Sequence, residues 1–291
     1  MMSKVTIGFI TNHRLPDLED KKFLRIAKKI GINLIVFNAA LKFDLDLIKE
    51  DAKKCDLILN DEADYISLEL AKSLEVLGCK VIEVSKSFYY TEDKWIFYLK
   101  CLENKIPVPK TTLLSTDLIS IKKELKDFNQ FPVVLKRVEG FHGDFVDKAD
   151  NAGEAITIIK RFWEKGENHF PILAQEFVDS DSYRVMTIGG KVVQTAIKKS
   201  DNWKATGGSA MRFWKFKIDP ELRQILNKLK KITDIAICGN DFAKKDGKWV
   251  VIEVNAQPSY KFFDSEVNLV IEKSLKYLKD LALAKKRKTR R

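Results

Sequence analysis

Three residues with oxygen-bearing side chains lie close together in the last quarter of the chain, on two short apolar segments. Asp241 belongs to the first segment, and Glu253 and Asn255 occur two residues apart in the second. Because side chains alternate along a strand, Glu253 and Asn255 share one face while Ile252 and Val254 enter the other. Carboxylate and amide oxygens in this number suit Mg²⁺ and leave room for water and phosphate. The spacing predicts a metal site; the alternative is an ordinary hairpin with a polar, solvent-facing side.

The connection between the two segments decides whether Asp241 joins that face. Lys245-Asp246-Gly247 is a turn-forming sequence. A three-residue turn with a left-handed glycine sets Asp241 opposite Val251. Asp241 then projects from the same face of the hairpin as Glu253 and lies diagonal to Glu253. A two-residue turn would place Asp241 on the wrong face, so the metal site predicts the longer turn.

A lysine at the end of another apolar run can supply positive charge to an anion. Lys136 follows Pro132–Leu135, and Gly140 and Gly143 lie in the loop that comes next. Glycines let backbone N–H groups approach anionic oxygens closely, and a fixed lysine adds countercharge. A buried lysine without a partner is costly. The pattern therefore favours a phosphate-binding loop over a hairpin with an incidental lysine.

A third candidate segment, Gln175-Glu176-Phe177, ends an apolar strand. Its main chain could read the edge of an adenine, and a nearby carboxylate could accept ribose hydroxyl groups. Asp179 and Asp181 are both within reach of the ribose, and the sequence leaves the choice open. The alternative is an exposed acidic turn.

The elements that must position these residues follow from the hydrophobic periodicity. The first ninety residues alternate strands and helices, which predicts a small parallel α/β unit. A helix over Thr91–Asn104 and a proline-containing connector over Ile106–Lys110 follow. A second α/β pattern comes next and gives way to a more antiparallel section. The predicted domains are 1–90, 91–177 and 178–284, followed by a basic tail at 285–291.

Composition narrows the class of protein. At 45% apolar residues the 291-residue chain can bury a sizeable core, and no apolar run approaches the roughly 20 residues that span a bilayer. We therefore expect no membrane association and a cytoplasmic location. The four cysteines lack metal-type spacing and are expected to be free thiols.

The formal charge of +11 is concentrated at the carboxyl end, where the tail alone carries six positive charges. The tail is either a solvated extension or a segment that attracts an acidic partner. The first of these is the preferred interpretation.

Taken in order along the chain, these motifs resemble the ATP-grasp superfamily, and most closely its RimK-type carboxylate–amine ligases. The residues that carry the resemblance are Asp93-Lys94, Val134-Leu135-Lys136, Val138-Glu139-Gly140, Gln175-Glu176-Phe177, Tyr183-Arg184, Gly207-Gly208, Gly239-Asn240-Asp241 and Glu253-Val254-Asn255-Ala256-Gln257-Pro258. The resemblance runs from about Asp93 to the last helix. The sequence departs from the family pattern at Trp203, which occupies the usual position of an asparagine before the paired glycines.

The resemblance implies an ATP-grasp fold: two α+β lobes that sandwich ATP, preceded by a small parallel α/β domain. It implies that Lys94 and Lys136 contact the nucleotide and that Glu176 and Phe177 form the adenine hinge. Arg184 would approach the transferred phosphate. Asp241, Glu253 and Asn255 would hold Mg²⁺, or Mn²⁺ in its place.

The implied chemistry activates a carboxylate as an acyl phosphate, which an amine then attacks to give an amide. The expected substrates are a small-molecule or peptide carboxylate and an amine such as glutamate or another amino acid. Two other functions stay open on the sequence alone. One is an ATP-grasp kinase that stops at phosphoryl transfer. The other is a basic nucleic-acid- or protein-binding factor with a vestigial nucleotide site.

Overall fold

The computed structural model describes residues 5–62, 64–140, 144–166, 168–199, 203 and 212–289. In these ranges the chain forms three sheets, each with its own helices. No helix among them is both long and apolar enough to cross a bilayer. The four cysteines form no disulfide, as predicted.

The amino-terminal part is a four-stranded parallel sheet in the order β2-β1-β3-β4. Its elements are β1 Val5–Thr11, α1 Leu18–Lys29, β2 Ile32–Asn38, α2 Leu45–Lys53, β3 Leu57–Asn60, α3 Tyr65–Val76 and β4 Val81–Ile82. Aspartates cap the first three helices by accepting hydrogen bonds from their opening N–H groups. The parallel unit predicted from the periodicity is therefore present.

Two helices, rather than one, lead into the central lobe. Their ranges are α4 Ser85–Glu92 and α5 Lys94–Glu103. Asp93 separates them because its extended backbone (φ −85°, ψ 94°) ends the first helix, while its carboxylate caps the second. The single helix predicted from Thr91 therefore begins at Lys94.

The central lobe is an antiparallel sheet in the order β5-β8-β6-β7, with two helices packed on it. Its elements are β5 Thr111–Leu114, α6 Leu118–Phe128, β6 Val133–Arg137, β7 Val146–Ala149, α7 Ala152–Lys165 and β8 Ile172–Glu176. The last residues of β6 are less buried than the first three, and Lys136 is half-buried there.

The carboxyl-terminal lobe is a five-stranded antiparallel sheet in the order β11-β10-β9-β12-β13. Its elements are β9 Ser182–Ile188, β10 Lys191–Lys199, β11 Arg212–Trp214, α8 Pro220–Thr233, β12 Ile237–Lys245, β13 Lys248–Asn255 and α9 Val267–Thr289. The periodicity did not predict β11.

This lobe shares one hydrophobic core with the amino-terminal sheet. Phe9 of β1 and Phe23 of α1 pack in the same cluster as Met186, Ile237 and Ile271. A buried carboxylate adds a polar link, because Glu83 accepts hydrogen bonds from the N–H groups of Ala236 and Ile237 at 2.8–2.9 Å. Burial raises the pKa of Glu83 to about 7, although these hydrogen bonds oppose the shift.

Candidate active site

A cleft of about 630 Å³ lies between the central and carboxyl-terminal sheets. Its volume falls in the range typical of small-molecule sites. The predicted residues that line it are Lys94, Lys136, Gly140, Gln175, Glu176, Phe177, Asp181, Arg184, Asp241, Glu253 and Asn255. Asp179 is not among the lining residues of the cleft. Gly143 and the glycine pair at 207–208 lie outside the described residues.

One face of the carboxyl-terminal sheet presents a row of charged side chains to the cleft. Arg184 of β9 lies directly opposite Asp241 of β12, which in turn lies opposite Glu253 of β13. Residues paired in this way in an antiparallel sheet project from the same face. Asn255 is two residues beyond Glu253, and Lys198 of β10 also lines the cleft. Cations therefore occupy one end of the row and carboxylates the other.

The hairpin that carries the carboxylates has a two-residue turn, so the predicted three-residue turn is wrong. Lys245 pairs with Lys248, and only Asp246 and Gly247 lie between them. Both have left-handed backbones, with φ of 49° and 76°. This is the geometry of a type I′ turn, which matches the twist of the strands it joins.

A β-bulge in β13 restores the face that the short turn would have reversed. Phe242 pairs with Val251, but its neighbour Asp241 pairs with Glu253, which leaves Ile252 as the extra residue. The predicted pairing of Asp241 with Val251 is therefore wrong, although the predicted common face is correct. Ile252 lines the cleft instead of entering the opposite face.

Asp241 is surrounded by donors from three strands. Arg184 donates two hydrogen bonds to it, one from Nε to Oδ1 at 2.6 Å and one from Nη2 to Oδ2. Lys198 Nζ lies 3.1 Å from Oδ1, and Asn255 Nδ2 lies 3.4 Å from Oδ2. Burial alone would raise the pKa of Asp241, but the two cations outweigh it and hold that pKa well below its usual range.

Two lysines face this row from the other side of the cleft. Lys136 Nζ donates to Gln175 Oε1 at 2.8 Å, and Lys94 Nζ donates to the carbonyl oxygen of Gly140 at 2.9 Å. Burial lowers the pKa of Lys136 to about 8; Glu253 opposes this shift and Lys94 adds to it. Burial also lowers the pKa of Lys94. Both groups are thus desolvated cations, which suits contact with an anionic ligand.

Gly140 has a backbone that other residues rarely adopt, with φ of 153°. It therefore meets the requirement for glycine in the predicted phosphate-binding loop.

The predicted adenine hinge lines the cleft, but two of its backbone N–H groups already donate hydrogen bonds within the protein. Glu176 N donates to Lys110 O at 2.8 Å, and Phe177 N donates to Pro132 O at 3.1 Å. A nucleobase would have to use other main-chain groups of this segment. The Phe177 ring lies 5.1 Å from Lys148 Nζ.

Lys198 and Glu92 are charged residues of the cleft that the sequence analysis did not predict. Lys198 is 6% exposed and shares its strand face with the buried Gln194 and Ala196, so alternation along β10 could have placed it inward. Glu92 ends α4 beside Lys94 and lines the cleft. Burial raises the pKa of Glu92 to about 7; Lys94 opposes the shift and Glu253 adds to it.

The donor set fits a divalent cation chemically. Asp241, Glu253 and Asn255 offer carboxylate and amide oxygens on one face of the sheet, in a cleft that also presents lysines. A metal at Asp241 would have to share or replace the contacts of Arg184 and Lys198.

Comparison with known proteins agrees with this geometry. Residues 91–278 match the family model of the RimK-like ATP-grasp domain. The coenzyme gamma-F420-2:alpha-L-glutamate ligase of Methanocaldococcus jannaschii is 29% identical over 252 residues, covering 81% of this chain and 85% of the relative. The alpha-aminoadipate–LysW ligase LysX of Saccharolobus solfataricus is 28% identical over 258 residues, covering 85% and 91%.

Solved structures show the same fold at low sequence identity. A RimK domain ATP-grasp protein from Sphaerobacter thermophilus superposes with a TM-score of 0.73 at 16% identity, covering 94% of this chain and 99% of that one. D-alanine–D-alanine ligase from Bacillus anthracis gives a TM-score of 0.73 at 17% identity, covering 98% and 99%. The cleft, the ordered motifs and the family match agree, and the chain belongs to the RimK-like ATP-grasp family of ligases.

Proposed function

We propose that this ligase uses Mg²⁺ and ATP to activate a carboxylate as an acyl phosphate and joins it to the amine of glutamate or another amino acid. The observation that carries the proposal is the row Arg184, Asp241, Glu253 and Asn255, which faces Lys94 and Lys136 across one cleft. The names of the relatives support an amino acid as one substrate.

Each side of the cleft has a distinct part in this proposal. Lys136 and Lys94 would neutralise phosphate oxygens, and Asp181 would bind the ribose. Asp241, Glu253 and Asn255 would hold the metal ion, which supplies countercharge to the phosphates when bound. Arg184 would approach the transferred phosphate, where charge develops during transfer.

The reaction balances without a covalent link to the protein. A carboxylate oxygen attacks the γ-phosphorus, ADP leaves, and an acyl phosphate forms. The amine nitrogen then attacks the acyl carbon, loses a proton to solvent, and expels phosphate that carries the original carboxylate oxygen. The protein holds the two reactants in position and excludes water from the acyl phosphate.

Oxygen transfer tests this route directly. With ¹⁸O-labelled carboxylate substrates, screened with amino acids for ADP release, we expect one ¹⁸O in the released phosphate and an amide product without phosphorus. A phosphorylated product that forms without an amine would indicate a kinase instead. Amide formation without label in the phosphate would contradict the acyl phosphate.

Lys198 should weaken metal binding when no nucleotide is present. It is a buried cation 3.1 Å from a proposed metal ligand, so it competes with a divalent ion for Asp241 Oδ1. We expect Lys198→Met to tighten binding of Mn²⁺ alone by about tenfold or more, as measured by electron paramagnetic resonance. Lys199→Met is the control, because Lys199 is 53% exposed and pairs with Asp181. Equal Mn²⁺ affinity in wild type and Lys198→Met would contradict this role.

A further inference from the structure

The excess positive charge of the chain is concentrated on two helices, α1 and α9. Helix α1 and the segment from Val267 to the carboxyl end hold fourteen lysines and arginines against four aspartates and glutamates, a formal charge of +10. The other 254 residues hold 38 against 37 and are close to neutral. A charge difference of this size between two parts of one chain indicates a surface that binds an acidic partner.

Side-chain contacts join α1 and α9 into one surface. Arg25 Nη2 donates to Asn268 Oδ1 at 3.1 Å, and Lys29 Nζ lies 3.9 Å from a carboxylate oxygen of Glu272. Both partners of the second contact lie four residues, about one turn, beyond those of the first, so the helices run in the same direction. We call the cations on the described part of these helices the basic face: Lys21, Lys22, Arg25, Lys28, Lys29, Lys273, Lys276 and Lys279.

The acidic residues of the two helices offset little of this charge. Asp20 is buried, and Glu19 pairs with Lys261, which lines the cleft. Glu272 is shared by two lysines of the basic face, at 3.9 Å and 2.6 Å. Asp280 is exposed. Two carboxylates therefore stand against the eight cations of the basic face.

Several of these cations are available to a ligand. Lys21 and Lys28 of α1 and Lys273 of α9 are exposed and make no ion pair within the described residues. Lys279 Nζ donates to the neutral carbonyl oxygen of Ile30 at 2.7 Å, which leaves its charge uncompensated. Such groups can form charge-assisted hydrogen bonds to an anionic partner.

Helix α9 extends this surface along the chain. It continues to Thr289, and the sequence from Lys285 places four cations before that residue and two after it. With 23 residues, the helix is about 35 Å long, roughly one turn of a nucleic-acid duplex. It is therefore long enough to meet several phosphates of one duplex.

The exposed side chains favour a phosphate backbone over a bilayer or an acidic protein. Among the described residues of α1 and α9, the exposed large apolar side chains are Leu18 and Leu269, each in the first turn of its helix. Insertion into a bilayer and stable docking of a protein both depend on apolar anchors. Neutralisation of phosphates by lysine and arginine needs none.

We propose that the basic face, extended by the tail at 285–291, binds the phosphodiester backbone of a nucleic acid without reading its sequence. The proposal takes the second of the two interpretations of the tail and adds the cations of α1 to it. Each cation that approaches a phosphate releases a counterion, so the binding depends strongly on salt. No residue of the basic face lines the described part of the cleft, and the inference does not depend on the proposed ligase reaction.

Fluorescence anisotropy with a fluorescein-labelled DNA duplex of about 20 base pairs tests the binding. The logarithm of the association constant should fall with the logarithm of the salt concentration, with a slope of about −4 or steeper. Lys21→Gln, Lys28→Gln and Lys273→Gln, combined in the full chain, should weaken binding about tenfold or more and make the slope shallower by about 2 to 3. A duplex of scrambled sequence should bind as tightly as the first.

Removal of the same number of charges elsewhere is the control. Lys122→Gln, Lys123→Gln and Lys126→Gln, combined on the exposed surface of α6, should keep wild-type duplex binding. Both triple variants change exposed residues and should keep the wild-type melting temperature. Equal weakening by the two variants would reduce the effect to net charge and overturn the proposal. Wild-type binding by the basic-face variant, or by a chain that ends at Ala284, would also overturn it.

Two further probes decide between classes of acidic partner. Phosphatidylserine vesicles and a polyglutamate of about 20 residues should bind more weakly than the duplex, because the face lacks apolar anchors and an extended peptide has a lower charge density. Tighter binding of either probe, lost in the basic-face variant, would assign the face to a membrane or an acidic protein and overturn the proposal. Because these measurements need neither ATP nor turnover, a failure of the ligase proposal would leave them unchanged.

Discussion

Glu253→Gln should abolish ligase turnover while the chain stays folded. The substitution keeps the size of the side chain but removes a carboxylate that lies directly opposite Asp241 in the proposed metal site. It also removes a negative charge that counteracts the unfavourable burial of Lys94 and Lys136. We expect kcat/KM for ADP release to fall by about 1,000-fold or more, equivalent to roughly 4 kcal/mol of transition-state stabilisation.

The control for this loss of turnover is the same Glu→Gln substitution at a surface position. Glu103→Gln removes a carboxylate whose side chain is 65% exposed and pairs only with Lys100 in the described contacts. It should retain wild-type turnover and melting temperature. Mg²⁺-dependent turnover of Glu253→Gln within tenfold of wild type would place the metal site elsewhere.

Lys136→Met should weaken ATP binding and change how that binding depends on pH. Burial lowers the pKa of Lys136 to about 8, so the free protein loses this charge as the pH rises through 8. Because ATP is anionic, wild-type affinity should be highest below pH 8 and should decline above it. Calorimetry should show affinity reduced about 10- to 100-fold at pH 7 in the variant.

The pH profile separates a direct contact from a general loss of charge. The affinity of Lys136→Met should vary less between pH 7 and pH 9 than that of wild type. Lys72→Met, on the exposed surface of α3, should keep both the affinity and the profile. Native ATP affinity in Lys136→Met would rule out the nucleotide contact.

Much of the fold was predictable because its signals are local. Apolar runs that alternate with amphipathic stretches predicted the parallel unit, and the order of the motifs along the chain indicated the two lobes. The break at Asp93 was harder to see, because the residue fits both the end of one helix and the cap of the next. Strand β11 has three residues, which is too short for periodicity to give a signal.

The sequence predicted many of the residues that line the candidate site, but not the strand pairing and contacts that arrange them. The common face of Asp241 and Glu253 was correct for the wrong reason, since a bulge rather than a longer turn aligns them. A bulge reflects packing on both faces of the sheet, which the turn sequence does not encode. The contact of Lys198 with Asp241 depends on the order of β10, β9 and β12 across the sheet, and strand order is a tertiary property.

The core shared by the first and last parts of the chain limits how the molecule can be divided. A fragment that begins at Lys94 would expose Met186, Ile188 and the inner face of α9 to water, and it would leave the N–H groups of Ala236 and Ile237 without the Glu83 carboxylate. Ile237 is the first residue of the strand that carries Asp241, and Ala236 directly precedes it. The amino-terminal sheet is thus a structural support for the carboxyl-terminal lobe, and we expect the isolated lobes to be less stable than the whole chain.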